Sequence, residues 1–186
     1  GGWGGRARVA VGGRGGVLAD DMGLGKAVRT LALLLERKKR GPALVVCPTS
    51  VVANWCAEAQ RFAPSLRVVD VSTLPRAQRA PTLAGLGRGT LAVMSYGLLS
   101  RFEGPLEVAT VVFDEAHALK NASSARTHAA ASILAEVRFG LTGTPIENHL
   151  GDLWSVLHSC VPGLLGDEDV FRRTTAAALH AGDARA

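Results

Sequence analysis

Apolar positions along this chain fall into two alternating patterns. Ala43 to Cys47 (ALVVC), Leu91 to Met94 (LAVM) and Ala109 to Phe113 (ATVVF) are short, almost unbroken apolar runs. Runs with no polar face predict strands buried on both sides. Val17 to Ala19, Leu66 to Val71 and Arg138 to Leu141 read as three more strands. Between them the spacing changes. Lys26 to Arg40 places Leu31, Leu34 and Leu35 on one face and stops at Gly41-Pro42, which predicts an amphipathic helix. Further helices are predicted over Val51 to Phe62, from Ser95-Tyr96-Gly97 to Arg101, over Ser123 to Glu136 with Ser123 or Asn121 as cap, and over Glu147 to Ser159. Residues 75–90, rich in Pro, Arg and Gly, predict an ill-defined connection holding a short helix. Strands alternating with helices imply an α/β fold of three layers, a mostly parallel sheet with helices on both faces.

In such sheets ligands sit at the carboxyl ends of the strands. The segments with chemical character all fall there: Asp20 to Lys26, Pro48 to Ser50, Ser95-Tyr96, Asp114-Glu115 and Thr142 to Pro145. The stretch GVLADDMGLGKAVRT, Gly16 to Thr30, is a strand, a glycine loop and a helix start. Loop amides and the helix dipole converge there on one anion, Gly23 and Gly25 allow close backbone approach, and Lys26 reaches the terminal phosphates. Against the pattern G-x-x-x-x-G-K-[ST], Asp20 replaces the first Gly and Ala27 replaces the hydroxyl residue that ligates Mg²⁺. A strand–turn–helix whose glycines serve only the turn is the plainer alternative.

Asp114-Glu115-Ala116-His117 closes an apolar strand. Two ionised carboxylates there need partners or water. In a phosphate-loop enzyme the first holds Mg²⁺ and the second positions or deprotonates the attacking water. A solvated Glu115 and a His117 that merely satisfies a loop are the alternatives. Thr142-Gly143-Thr144-Pro145 could sense the bound nucleotide through its hydroxyls, or be a turn built on Gly and Pro.

Composition changes this picture little. The 186 residues fit one domain with a real core, and 47% apolar with 20% charged residues is ordinary globular usage. A net charge of +5 permits a polyanionic partner without demanding one. Three cysteines, Cys47, Cys56 and Cys160, form no C-x-x-C and suggest reduced thiols in a cytosolic protein. No apolar run is long enough to span a bilayer, so no membrane partner is expected. The basic run Arg37 to Arg40 suits a helix C-terminus and needs no ligand. Residues 1–15 form a Gly-rich lead-in expected to be flexible, and the tail from Gly163 is weakly patterned. A first residue Gly rather than Met gives the expectation of a fragment.

GVLADDMGLGKAVRTLALL, PALVVCPTSVVANW, LAVMSYGLLSR, VVFDEAHALKNASSA and GLTGTPIENHLGDLWSVL resemble, in order, the helicase-type motifs of the Swi/Snf (Snf-two) family of DNA-dependent ATPases. LADDMGLGK, DEAHALKN and LTGTPIEN followed by LWS set it apart from RNA helicases of the DEAD-box kind. The resemblance implies the first RecA-like, phosphate-loop NTPase lobe of a two-lobe motor, occupying residues 16–160, with 161–186 leading towards a second lobe. It implies ATP and Mg²⁺ as cofactors, with Asp21, Met22, Gly23, Leu24, Gly25, Lys26 and Ala27 around the nucleotide. Lys26, Asp114 and Glu115 would be catalytic, and Asp114 would hold the metal. It implies coupling through His117, Thr142, Gly143 and Thr144. Contacts to a duplex DNA backbone would come from Pro48, Thr49, Ser50, Ser95 and Tyr96. Such motors move on duplex DNA and displace or remodel nucleoprotein, which implies a cytoplasmic, nucleoid or nuclear location. Ala27 and Arg29, the latter where the family usually has Gln, depart from the pattern, and no adenine-reading segment stands out in residues 1–16. A degenerate, non-catalytic nucleotide- or DNA-binding module is therefore the competing reading. A small-molecule kinase lacks an acceptor-site motif here.

Overall fold

The computed structural model describes residues 8–9, 15–19, 25–121, 123–143, 154, 156–158, 166–167, 169–171 and 173. Seven strands occur among them: β1 Arg8–Val9, β2 Gly15–Ala19, β3 Ala43–Cys47, β4 Arg67–Asp70, β5 Thr90–Ser95, β6 Glu107–Phe113 and β7 Leu134–Thr142. The helices are α1 Lys26–Arg37, α2 Val52–Phe62, α3 Arg76–Ala84, α4 Tyr96–Leu99 and α5 Ala125–Ala131. The sheet order is β1-β2-β7-β6-β3-β5-β4. Every pairing is parallel except β1 with β2.

The apolar runs are buried on both faces, as their composition requires. In β3, Leu44 and Val46 enter one core cluster, and Ala43, Val45 and Cys47 enter the other. Leu31 and Leu34 of α1 and Val52, Trp55 and Ala59 of α2 cover the second face. Leu83 of α3, Leu98 and Leu99 of α4 and Ala130 of α5 cover the first. This is the three-layer α/β architecture expected from the alternation. At the amino edge of the sheet, Arg37 closes α1 by donating to Thr110 Oγ1 at 2.8 Å and to the Ala109 carbonyl. The basic run thus begins with a structural arginine. Gly41 follows where a Cβ would meet the Ala109 Cβ at 2.9 Å, so the chain can pass β6 closely only without a side chain.

Several expectations shift. Arg8–Val9 pairs antiparallel with Leu18 and Ala19, so the expected flexible lead-in contains a short strand, and β2 begins at Gly15. The connection over 75–90 contains a nine-residue helix that tolerates Pro81 inside it. The helix expected over Ser123 to Glu136 stops at Ala131. Leu134, Ala135 and Glu136 instead open β7 beside Glu107 and Val108. Ser124 is the cap, accepting the Thr127 amide, while Asn121 Oδ1 accepts from Ser123. No helix among the described residues is long and apolar enough to cross a membrane.

Candidate functional site

Three neighbouring strands, β2, β7 and β6, deliver the candidate chemistry to one edge. After β2 the chain reaches Gly25, which caps α1, and Lys26, its first residue. Asp20, Asp21, Met22, Gly23, Leu24 and Thr144 lie outside the described residues. β7 runs between β2 and β6 and ends at Thr142, buried, with Gly143 half-buried after it. Thr142 and Gly143 therefore sit between the phosphate-loop strand and the carboxylate strand.

Asp114 follows β6 and is gripped from several directions. Its amide donates to the Val46 carbonyl at 2.8 Å, prolonging the pairing with β3. Carboxylate oxygen Oδ2 accepts the Trp55 indole N–H at 2.8 Å, and Oδ1 accepts the Glu115 amide at 2.9 Å. The Tyr96 hydroxyl donates to the Asp114 carbonyl at 2.8 Å. Burial pushes the carboxyl above its ordinary range. The Trp55 and Glu115 N–H donors and the Lys26 charge pull it back, while the Glu115 charge adds to the rise. The Lys26 charge thus reaches Asp114, as the smallest of these influences. Next to them, burial pushes the Cys47 thiol up to about 12, with Asp114 as the second cause, so Cys47 is a protonated core residue.

Glu115 stands at φ 48 and ψ 55, a left-handed conformation. It costs a residue other than Gly roughly 1–2 kcal/mol and turns the chain sharply into the 3₁₀ turn Ala116–Leu119. Its carboxylate lies 3.3 Å from His117 Nδ1, and both side chains are partly open to solvent. His117 and Glu115 are therefore paired across this turn.

The expected DNA-contacting residues separate into two kinds. Thr49 and Ser50 are exposed in the turn that leads from β3 into α2, with Pro48 half-buried before them. Ser95 and Tyr96 are buried, at 7% and 3% exposure, and both hydroxyls have internal partners. Ser95 Oγ caps α4 by accepting the Leu98 amide, and Tyr96 holds Asp114. Both hydroxyls thus serve the fold, and the contact expected of this segment with a DNA backbone would fall to its main-chain groups. Trp55 was not among the expected site residues. Its signal was the NW pair one turn into a helix at the active edge, and nothing in the sequence pairs it with Asp114. A groove of about 780 Å³ lined by Arg76, Arg79, Arg101 and Phe102 was also missed. Arg79 and Arg101 are steadied by donating to the Leu74 and Gly97 carbonyls.

The family model of the SNF2-related domain matches residues 7–185. The chain belongs to the SNF2-related family. Helicase SWR1 of Saccharomyces cerevisiae is 38% identical over 157 residues, which are 79% of this chain and 10% of that protein. An ATP-dependent helicase of Mycoplasma pneumoniae is 36% identical over 167 residues, 84% of this chain and 16% of that protein. The SWI2/SNF2 ATPase core of Sulfolobus solfataricus in complex with double-stranded DNA is similar at TM-score 0.71 and 36% identity. It covers 87% of this chain and 34% of that one. The SWI2/SNF2 ATPase core domain of Sulfolobus solfataricus is similar at TM-score 0.73 and 36% identity, covering 91% of this chain and 35% of that one. The SNF2-related chain thus spans between about a tenth and a sixth of the curated relatives named, and about a third of the solved cores. Its fold is the RecA-like lobe of an SNF2-family ATPase, as the motifs implied.

Proposed function

We propose that this lobe binds ATP with Mg²⁺ and works within a motor that couples hydrolysis to movement along duplex DNA, remodelling nucleoprotein. The observation that carries the reading is the convergence of Lys26 and the Asp114–Glu115 pair at one sheet edge, with the Lys26 charge acting on Asp114. The residues fit a metal–nucleotide pair in their donor chemistry. Each Asp114 oxygen accepts one N–H and keeps lone pairs for a hard cation. Lys26 offers a mobile positive charge to the terminal phosphates. Ala27 contributes no oxygen, so the cation would rely on Asp114, the nucleotide and water. Bound Mg²⁺ supplies neutralisation of phosphate charge and orientation of the transferred group. Glu115 orients the attacking water and accepts its proton, and His117 reports on that carboxylate. Gly23, Leu24 and their neighbours Asp21 and Met22 would complete the cradle, as the phosphate-loop pattern implies. Thr142 and Gly143, between the two chemical strands, would relay the nucleotide state together with Thr144.

The DNA backbone would meet Pro48, the exposed hydroxyls of Thr49 and Ser50 and the main chain around Ser95, all sequence-blind contacts. The arginine groove at the carboxyl ends of β4 and β5 extends this face. A second RecA-like lobe would close the nucleotide site and supply an arginine finger, worth about 10³–10⁵ in rate. The setting would be a DNA-associated compartment.

Titration of the chain with a fluorescent ATP analogue, with Mg²⁺ and then with chelator, tests the site. Mg²⁺ should tighten binding in the parent, Lys26→Ala should lose binding in both conditions, and Asp114→Asn should lose only the Mg²⁺ dependence. Binding by Lys26→Ala equal to the parent's would sink the phosphate-cradle assignment and favour a lobe that merely folds.

A further inference from the structure

Asp114 is held from both helical layers at once. Trp55 belongs to the layer of α1 and α2 and is 3% exposed. Tyr96 belongs to the layer of α3, α4 and α5 and is equally buried. The indole N–H fixes carboxylate oxygen Oδ2, and the phenol hydroxyl fixes the backbone carbonyl of the same residue. Neither side chain is open to a ligand. Each sits at the start of its helix: Trp55 one turn into α2 after the Thr49–Val51 turn, and Tyr96 as the first residue of α4 behind the Ser95 cap.

We propose that Trp55 and Tyr96 are positioning residues that clamp Asp114, side chain and backbone, in the orientation that receives a divalent cation with its nucleotide. The inference rests on the reading of Asp114 as the metal carboxylate. A strand-end aspartate has two free side-chain torsions. The two N–H donors on its oxygens remove that freedom and leave the outward lone pairs pointing one way. Without the indole donor the carboxylate can turn and satisfy itself elsewhere, so the cation meets an unprepared ligand. Loss of a partner behind a metal ligand lowers affinity roughly 10–100-fold. A purely space-filling Trp55 would behave differently: its loss would lower thermal stability and leave divalent affinity alone.

The test uses the full chain and Mn²⁺ or Mg²⁺ with a fluorescent ATP analogue, well below the melting temperature of each variant. Trp55→Phe keeps a ring and removes the donor, and Tyr96→Phe removes only the hydroxyl. Trp55→Phe should raise the divalent concentration needed for half-maximal binding by at least about tenfold, with chelator-condition binding unchanged. Tyr96→Phe should move it in the same direction. A Trp55→Phe value within about twofold of the parent, while Asp114→Asn abolishes the divalent dependence, overturns the clamp and leaves the Asp114 reading intact. A parent that shows no divalent dependence overturns both. Should Trp55→Phe fail to fold, indole ¹⁵N–¹H spectra of the parent decide. Mn²⁺ with nucleotide should broaden the Trp55 resonance and spare that of Trp154, and an unaffected Trp55 signal overturns the proposal.

Discussion

At position 27 one methyl group stands where related phosphate loops present a hydroxyl, and the structure shows why its neighbour does not replace it. Thr30, one turn further along α1, is 4% exposed and donates its hydroxyl to the Lys26 carbonyl at 2.8 Å. It braces the helix start and has its proton committed there. Ala27 packs at the rim of the core under α1. Thr at this site costs the helix no more than about 0.7 kcal/mol in propensity, so Ala27→Thr should fold like the parent. Its Mg²⁺–ATP affinity should rise at least about tenfold, the low end of what support at a metal is worth. Equal affinities in a fluorescent-nucleotide titration would mean that position 27 is not a ligand position in this lobe. The departure at Ala27 was legible in the sequence because a phosphate loop has fixed spacing. The Trp55–Asp114 bond was not, because it joins residues on α2 and β6 whose approach depends on how the helix lies across the sheet.

Among the elements, β7 shows where sequence reading stops. Leu134, Ala135 and Glu136 continue the alanine-rich helical pattern of α5, and local propensity favours extending the helix. Pairing with β6 wins instead, in a register that runs from Glu107 with Leu134 to Phe113 with Gly140. The side chain that secures this boundary is Arg138, 7% exposed in β7. Its guanidinium donates to the carbonyls of Ala130, Ala131 and Ile133 and so closes the end of α5. The Ala130 carbonyl also accepts the Ile133 amide, so the Ile133 carbonyl, buried just beyond the helix, depends most on this guanidinium. Arg138→Met should therefore destabilise the fold by about 1–3 kcal/mol, the cost of one buried acceptor left alone. Urea unfolding checks this through a lower midpoint at unchanged slope. A loss under about 0.5 kcal/mol would show that the cap is dispensable. Strand cores were readable because runs such as Ala43 to Cys47 admit no other burial. The ends of α5 and β7 were not, because an arginine in a strand gives no sign of the helix it caps.

For the whole molecule the question is what the carboxyl edge meets beyond the proposed nucleotide. Thr49 and Ser50 are exposed there. The groove carrying Arg76, Arg79 and Arg101 is lined by the start of α3, which follows β4, and by the turn after α4, which follows β5, with Glu103 the acidic residue among its described lining. Side chains of this kind can hold phosphate without reading sequence, and a net charge of +5 adds attraction at long range. Duplex affinity, followed by fluorescence anisotropy on two unrelated sequences, should fall linearly with the logarithm of salt and differ little between them. Each phosphate contact contributes a slope of about −0.9. Arg76→Ala and Arg101→Ala should then each flatten the slope by about 1 and weaken both duplexes alike. They should leave ATP binding with Mg²⁺ unchanged, because neither residue touches Lys26 or Asp114. A slope unmoved by both substitutions would exclude the groove from the DNA face and leave Thr49 and Ser50 as the contacts. A preference of more than about tenfold for one sequence would mean base-edge readout, worth about 1–3 kcal/mol per contact and open to arginine, and would count against backbone tracking.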